Sequence, residues 1–277
     1  MKVGITILVE NTTPAPGFQG EYGFAALVEV DEKSFLFDTG SADAVFTNAK
    51  AKGIDLAQVN DVVISHGHFD HTGGLLAFLK MGGPKKVYGH ASLFIPRYVM
   101  RGGIKKEIGV SFKPQEITAH GAEFIITHDF TAIHPRVFVS GEIPRISDFE
   151  DVGGSFWMDD GDKDKLSPDM IADDMAMIIN HPQGLIIISG CAHAGIINTI
   201  AYACLKTGIN KVLAFIGGTH LIMASEQRLT KTAAALKDFD VQKIIACHCT
   251  GFNALVRLRN ELGDRLIKGE TAMRFQF

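Results

Sequence analysis

The sequence lacks any long apolar run and any excess of positive charge. No stretch of the 277 residues approaches the roughly 20 continuous apolar residues that a membrane-spanning helix needs, so no membrane is expected as a partner. The formal net charge is −4, from 27 basic and 31 acidic side chains. Because the phosphate backbone of nucleic acids selects basic surfaces, no nucleic acid is expected either. These absences favour a soluble protein.

Cysteine is also scarce. The four cysteines all lie in the C-terminal third, at Cys191, Cys204, Cys247 and Cys249. Small secreted domains instead disperse their cysteines as a disulfide framework, so reduced thiols are expected here. The N-terminal apolar run ends at Glu10, too early for a signal peptide, and predicts a first strand. We therefore predict a cytoplasmic location.

Apolar residues make up 46% of the chain and charged residues 21%, which is typical of an ordered globular protein. The apolar runs Phe24–Val30 and Ser34–Phe37 flank a short charged turn and predict a hairpin. Strand and helix patterns then alternate after Gly184, as strand Gly184–Ser189, helix Ile196–Lys206, strand Lys211–Ile216, helix Glu226–Lys237, strand Lys243–Ala246 and helix Asn253–Leu262. Hairpins followed by βα units predict the α/β class.

The stretch from about 86 to 174 is irregular and rich in Gly, Pro, Phe and charge. We interpret 1–277 as a single domain in which this stretch is an insertion that covers a cleft. Basic residues surround Gly102–Gly103 and are interleaved with aromatic ones: Arg97, Arg101, Lys105 and Lys106. One interpretation is a solvated basic surface. The other is a mobile lid that binds a phosphate and stacks on a planar ring, with Arg97, Arg101 and Lys105 as substrate contacts.

A cluster of metal-binding residue types follows the predicted buried strand Asp61–Ser65, in the order His66-Gly67-His68-Phe69-Asp70-His71. His66 and His68 are two residues apart, so an extended backbone points both to the same side, where they can share one cation. Asp70 and His71 come where a helix is predicted to begin, and that turn redirects their side chains to a neighbouring position. The cluster therefore predicts two adjacent metals.

This cluster resembles the HxHxDH signature of the metallo-β-lactamase superfamily. Four further segments extend the resemblance over most of the chain, namely Phe35–Gly40, Ser189–Asn198, Gly217–Leu221 and Ala246–Gly251. They are similar to a branch of proteins like dihydropterin ribofuranosyl-aminobenzene phosphate synthase. The resemblance implies an αββα sandwich of two mixed β-sheets flanked by helices, and one or two divalent transition metals, zinc first, with iron or manganese as alternatives.

The resemblance also implies the ligand sets. One metal would be held by His66, His68 and His193, and the other by Asp70, His71 and His248. The residue patterns agree, because His193 and His248 each follow an apolar run that predicts a buried strand, and α/β sheets place their sites at such strand ends. Asp38 has two interpretations. It either caps the helix predicted from Ala42, or hydrogen-bonds a metal-binding histidine and fixes its tautomer, which the resemblance favours.

The sequence departs from the superfamily after Ile216. Many members have a bridging aspartate there, whereas this chain continues Gly217-Gly218-Thr219-His220. Bridging by hydroxide alone, or ligation by His220, are the hypotheses, and His220 is also a candidate proton donor; the alternative is a surface histidine that begins a helix. If the chain is extended at Cys247 and Cys249, both thiols face away from His248, which predicts structural burial. Cys191 shares the parity of His193 and stays open as a ligand.

These patterns together predict a metal-dependent hydrolase-type enzyme that activates water and polarises a phosphoryl or carbonyl group. Asp70 would orient the nucleophile. The expected substrate is an anionic small molecule, a phosphorylated heterocycle of the pterin or nucleotide kind. A general phosphodiesterase or ester hydrolase is one alternative, and a metal-containing metabolite-binding protein with little turnover is another. The sequence makes no prediction about the oligomeric state.

Overall fold

The computed structural model describes residues 1–159, 161 and 165–277. The described strands are β1 Val3–Val9, β2 Ala25–Val30, β3 Lys33–Phe37, β4 Asp61–Val63, β5 Lys86–Gly89, β6 Arg97–Arg101, β7 Ile104–Glu107, β8 Glu123–Ile126, β9 Thr131–His134, β10 Val137–Val139, β11 Phe156–Met158, β12 Ser167–Pro168, β13 Ala176–His181, β14 Gly184–Ser189, β15 Val212–Gly218, β16 Ile244–Cys247, β17 Leu266–Lys268 and β18 Arg274–Gln276. The described helices are α1 Ala44–Ala51, α2 Phe69–Thr72, α3 Leu75–Leu79, α4 Pro114–Ala119, α5 Ile196–Thr207, α6 Glu226–Asp238 and α7 Phe252–Leu262. In these ranges no helix combines the length and the hydropathy needed to cross a bilayer.

The described strands form two sheets of seven strands and a smaller sheet of four. The first large sheet has the order β18-β1-β2-β3-β4-β5-β8, and its strands run parallel from β3 to β8. The second has the order β17-β16-β15-β14-β13-β10-β9, with β14 to β17 parallel. Both large sheets are mixed, since their remaining pairs are antiparallel.

Apolar side chains from both large sheets fill the space between them. Ile7, Val28 and Phe37 of the first sheet are fully buried there, with Ile188 and Ile216 of the second. Burial of each such side chain stabilises the fold by roughly 1.5–3 kcal/mol. Helices α1 and α3 pack on the outer face of the first sheet, and α5, α6 and α7 on that of the second. This order of layers confirms the predicted αββα sandwich.

The predicted insertion from about 86 to 174 needs a correction, because much of this stretch belongs to the two large sheets. Strands β5 and β8 extend the first sheet, and β9 and β10 extend the second. The small sheet β12-β11-β6-β7 is the part that lies outside them. The Gly- and Pro-rich connections hid the short strands, whose partners are far away in the sequence. That the chain is a single domain stays a prediction.

Strand ends of both large sheets meet at one edge of the sandwich. In the second sheet Ser189 is opposite Gly217, and Gly218 is opposite Cys247, so the carboxyl ends of β14, β15 and β16 lie side by side. The first sheet brings β3 and β4 to the same edge, because a Cβ placed at Gly190 would be 2.7 Å from Oδ2 of Asp38. Such an edge is where open α/β sheets place ligands.

Candidate metal centre

The histidine cluster fills the connection between β4 and α2. His66 and His68 are buried, and Nε2 of His66 is 2.9 Å from Nδ1 of His68. Asp70 and His71 lie in the single turn of α2, for which His68 is the N-cap, so the helical turn directs them to a different point from the two preceding histidines. The connection therefore divides its ligand candidates between two adjacent points, as the residue spacing predicts.

The second sheet adds one histidine to each point. His193 follows β14, His248 follows β16, and both are buried. The nitrogens of His66, His68 and His193 lie within 4.8 Å of one another, and so do the donor atoms of Asp70, His71 and His248. The structure thus assembles both predicted sets. We call them the first triad and the second triad; that they bind metal is a proposal developed below.

Asp38 is linked to a histidine of each triad through hydrogen bonds. Its carboxylate accepts hydrogen bonds from the backbone N and from Oγ of Ser65, each at 2.7 Å, and Oδ2 is 2.7 Å from Nδ1 of His71. Ser65 Oγ is in turn 2.9 Å from Nδ1 of His66. Asp43, rather than Asp38, occupies the cap position of α1. Asp38 therefore orients rings in both triads, because fixing Nδ1 directs Nε2 towards the shared centre.

His193 and His248 are oriented in the same way. Nδ1 of His193 is 2.8 Å from the carbonyl oxygen of Val152, and Nδ1 of His248 is 2.8 Å from Oδ1 of Asn11. In the described part of the chain, Nε2 of His68 and of His193 is buried without a hydrogen-bond partner, and Nε2 of His248 faces Oδ2 of Asp70 at 3.2 Å. Buried polar atoms are rarely left unpaired, and a triad of imidazole nitrogens such as that of His66, His68 and His193 is a donor set that suits a divalent metal. The residues present therefore fit such an ion.

The two triads differ in protonation. Burial lowers the pKa of His66, His68 and His193 well below the usual value, which keeps these rings in the neutral form that binds metals. For Asp70, burial alone would raise the pKa, but His71 and His248 lower it below the usual range. Burial would lower the pKa of His71, yet the charges of Asp38 and Asp70 raise it to about 9. The carboxylates of Asp38 and Asp70 therefore hold a proton on His71, and a metal ion in the second triad would take the place of that proton.

Arg97 departs from its predicted role as a substrate contact. Its side chain is 1% exposed, with Nε 2.7 Å from Asp169 and Nη2 2.6 Å from Asp173. Asp173 also accepts a hydrogen bond from the backbone N of Gly67 at 2.7 Å. A Cβ at Gly67 would collide with the carbonyl oxygen of Leu93, so glycine allows this close approach. Arg97 thus holds the histidine connection in place, and burial removes it from any substrate.

Arg101 and Lys105 lie on the exposed hairpin of β6 and β7. The Nζ of Lys105 is 4.0 Å from the ring centroid of Tyr98. Burial and the charge of Asp70 raise the pKa of the Tyr22 phenol to about 12, and the charge of Arg101 opposes that rise. The centroid of the Tyr22 ring is 4.9 Å from that of His248. The contact of Arg101 and Lys105 with substrate stays a prediction.

His220 lies beside the first triad. Its ring centroid is 4.1 Å from that of His193, and its Nδ1 is buried and unpaired among the described residues. Its backbone φ is 46°, a left-handed conformation that turns the chain just after β15. Helix α6 begins only at Glu226, so His220 does not begin a surface helix as the alternative interpretation supposed. Its catalytic role stays a prediction.

Two aromatic side chains beside the centre carry no signal in the sequence. The Phe156 ring, on β11 of the small sheet, is 5.4 Å from His68 and 5.7 Å from His220. On the other side, Tyr22 lies against His248 and is 55% exposed. Neither belongs to a motif, so no local signal marked them. Together they flank the two triads with rings that a planar substrate could stack on.

The thiol predictions are half right. Cys247 is buried in the core between the sheets, as alternation predicts. Cys249 is not directed away from the site, because β16 ends at Cys247 and His248, with φ 49°, begins a short 3-10 helix that breaks the alternation. Cys249 Sγ accepts a hydrogen bond from the backbone N of His220 at 3.3 Å, and Cys191 Sγ is 3.2 Å from Nε2 of His71.

Comparison with known proteins adds the following. The family model of the metallo-beta-lactamase superfamily matches residues 19–159. The chain is 32% identical over 256 residues to the 7,8-dihydropterin-6-methyl-4-(beta-D-ribofuranosyl)-aminobenzene-5'-phosphate synthase of Methanocaldococcus jannaschii, covering 86% of this chain and 83% of that protein. It superposes on the crystal structure of Tm1679, a metal-dependent hydrolase of the beta-lactamase superfamily, with a TM-score of 0.83 and 26% identity, over 99% of this chain and 98% of that one.

A more distant likeness concerns the fold alone. The zinc-bound PqqB of Methylobacterium extorquens superposes with a TM-score of 0.59 at 12% identity, over 98% of this chain and 99% of that one. Similarity over nearly whole chains agrees with the layer order found here.

Proposed function

We propose that this chain, which belongs to the metallo-beta-lactamase superfamily and is an enzyme, is a metal-dependent hydrolase-type enzyme that acts on a phosphorylated heterocycle. The proposal rests on one observation: the donor atoms of two adjacent, buried triads converge, and Nε2 of His68 and of His193 has no partner among the described residues. Such a donor set is expensive to bury unless a ligand occupies it.

The proposed cofactor is one or two divalent transition metals. The first triad would hold one ion and the second triad the other. Zinc is the first candidate because three imidazoles form a common zinc site, and iron or manganese are the alternatives. When bound, such ions lower the pKa of a shared water towards ~7 and polarise a phosphoryl or carbonyl oxygen.

The remaining steps belong to residues of the chain. Asp70, kept ionised by His71 and His248, would accept a hydrogen bond from the attacking water and orient it. Asp38 holds His71 against rotation during turnover. His220 has a free Nδ1 beside the first triad and would donate a proton to the leaving oxygen.

The substrate class is proposed from the surroundings of the triads. Phe156 and Tyr22 offer rings to a planar heterocycle, and Arg101 and Lys105 offer cations to its phosphate. The pterin chemistry in the name of the methanogen relative supports this choice. The proposed partner is therefore an anionic small molecule in the cytoplasm, rather than a nucleic acid or a membrane.

Elemental analysis and kinetics test the proposal together. Protein purified without chelator should contain between one and two transition metals per chain, and chelation should abolish a turnover that zinc, iron or manganese restores. Candidate substrates are phosphorylated pterins and nucleotides, with bis(p-nitrophenyl) phosphate and a p-nitrophenyl ester for comparison. The absence of tightly bound transition metal would refute the metal centre.

Two alternatives have distinct signatures in the same assays. Turnover of bis(p-nitrophenyl) phosphate at a rate equal to that of every phosphorylated heterocycle would favour a general phosphodiesterase, to which the open side of the site at Tyr22 is suited. Tight binding of a metabolite to the metal-loaded protein with negligible turnover would favour a binding protein.

A further inference from the structure

The end of β15 has sulfur where a side chain from that strand would project. A Cβ at Gly218 would lie 2.5 Å from Sγ of Cys249 and would collide with the carbonyl oxygen of Gly190. No side chain can be accommodated there without displacing Cys249. The missing carboxylate at this position is therefore accompanied by a second feature, a thiol in the space beside it.

Cys191 lies between the two triads. Its Sγ forms a compact donor group, within 4.8 Å, with His66 and His71, and a further such group with His193 and His220. A third group joins it to His248 and Cys249. One sulfur thus neighbours imidazoles of the first triad and of the second.

The surroundings of this sulfur are those of a built site. Cys191 is 2% exposed, and the Nε2 atom of His193, with which it shares a donor group, is buried without a partner in the described ranges. Cys204, on α5, and Cys247, between the sheets, belong to apolar clusters instead. The four cysteines therefore divide into two that fill cores and two that reach the triads.

We infer that the thiolate of Cys191 is a further ligand of the metal centre, shared between the triads, and that Cys249 packs behind it in the space beside Gly218. This inference rests on the metal centre proposed above. On binding, the sulfur–metal bond forms while the thiol proton leaves to solvent. Thiolate ligands favour zinc or iron over manganese, so the inference also narrows the choice of metal.

Cobalt substitution tests this ligand without an activity assay. Metal-free protein is loaded with Co²⁺, and its near-ultraviolet spectrum is recorded for the wild type, Cys191→Ser, Cys249→Ser and the matched control Cys204→Ser. A thiolate-to-cobalt charge-transfer band is expected in the wild type, in the control and in Cys249→Ser, and its loss is expected in Cys191→Ser. In the zinc-loaded wild type, X-ray absorption should detect sulfur at ~2.3 Å from the metal, which needs no variant to fold.

The outcomes separate this inference from the proposed function. Stoichiometric cobalt binding without a charge-transfer band would overturn the cysteine ligand and leave the metal centre intact. Failure of the wild type to bind cobalt or zinc would refute the metal centre itself. A band that survives Cys191→Ser and disappears in Cys249→Ser, or a Cys191–Cys249 disulfide in the metal-loaded protein, would overturn the assignment to Cys191.

Discussion

The two halves of the metal centre are supplied in opposite ways. The first sheet supplies four candidate ligands within six consecutive residues, His66 to His71, from a single connection. The second sheet supplies one residue at a time from three parallel strands, as His193, His220 and His248. The first half is therefore fixed by local chain geometry, whereas the second exists only when the strands are aligned in register.

The backbone φ angles near the ligands of the second half reflect this difference. His220 and His248, and Ala192 beside His193, have φ values of 46°, 49° and 52°, in the left-handed region that non-glycine residues seldom adopt. Each such residue costs of order 1–3 kcal/mol and persists when the surroundings enforce it. The first half depends instead on the buried contacts of Arg97 and Asp173 with the connection. We infer that tertiary structure imposes the second half on its chain segments.

The largest effect is expected when a candidate metal ligand is removed from either half of the centre. His68→Ala, Asp70→Ala and His193→Ala should each lower turnover by at least about 10³-fold, because the metals supply several kcal/mol to the transition state. Steady-state kinetics and metal content measure this, with circular dichroism to check the fold. His128→Ala, an exposed histidine, is the control. Wild-type turnover in the first two variants would show that the cluster is not catalytic.

Substitution of His220 tests the second half without removing a triad residue, because His220 follows a strand of the second sheet but belongs to neither triad. Its replacement by Ala or by Asn should lower kcat by about 10²-fold, the lower end of the range for a lost proton donor, with metal content unchanged. Elemental analysis of the same samples separates this result from loss of a metal ligand. Unchanged rate and metal content in both variants would exclude His220 from catalysis.

Asp38 connects the halves, so its effect should be intermediate. Asp38→Asn keeps the shape but removes the charge that faces His71, and should weaken metal affinity by about 10–100-fold. Competition with a chelating dye measures the affinity directly. Asp43→Asn, at the cap position of α1, is the matched control. An affinity equal to that of wild type would contradict the role assigned to Asp38.

The smallest effect is expected for substitutions in the hairpin of β6 and β7, which lies outside both halves of the centre. Arg101→Ala combined with Lys105→Ala should raise KM for a phosphorylated substrate about tenfold and leave kcat unchanged, since partly exposed charge pairs contribute about 1 kcal/mol each at most. The KM difference should shrink as salt is added. Lys211→Ala, at the opposite end of β15, is the control. A fall in kcat with constant KM would instead place the hairpin in the chemical step.

The sequence allowed the regular elements and the local half of the site to be predicted closely. Helix α5 was expected at Ile196–Lys206 and spans Ile196–Thr207, because its apolar spacing and the glycines at both ends specify it. The place of Cys249 was not predictable, since alternation fails where a strand gives way to a 3-10 helix. Nor was the burial of Arg97, whose partners Asp169 and Asp173 are more than 70 residues away. Patterns of neighbouring residues predict local geometry, whereas the burial and contacts of a side chain depend on partners that are distant in the sequence.

The ion pair between Arg97 and Asp173 also sets a limit on motion. Arg97 is the first residue of β6, so the base of the small sheet is tied to the backbone of Gly67 through one carboxylate. Lifting the whole small sheet would separate this buried ion pair and the hydrogen bond from Gly67 that shares its carboxylate. The tip of the hairpin at Gly102–Gly103 is exposed. Any motion of the small sheet is therefore expected at this tip, while its base stays anchored to the connection that carries His66 to His71.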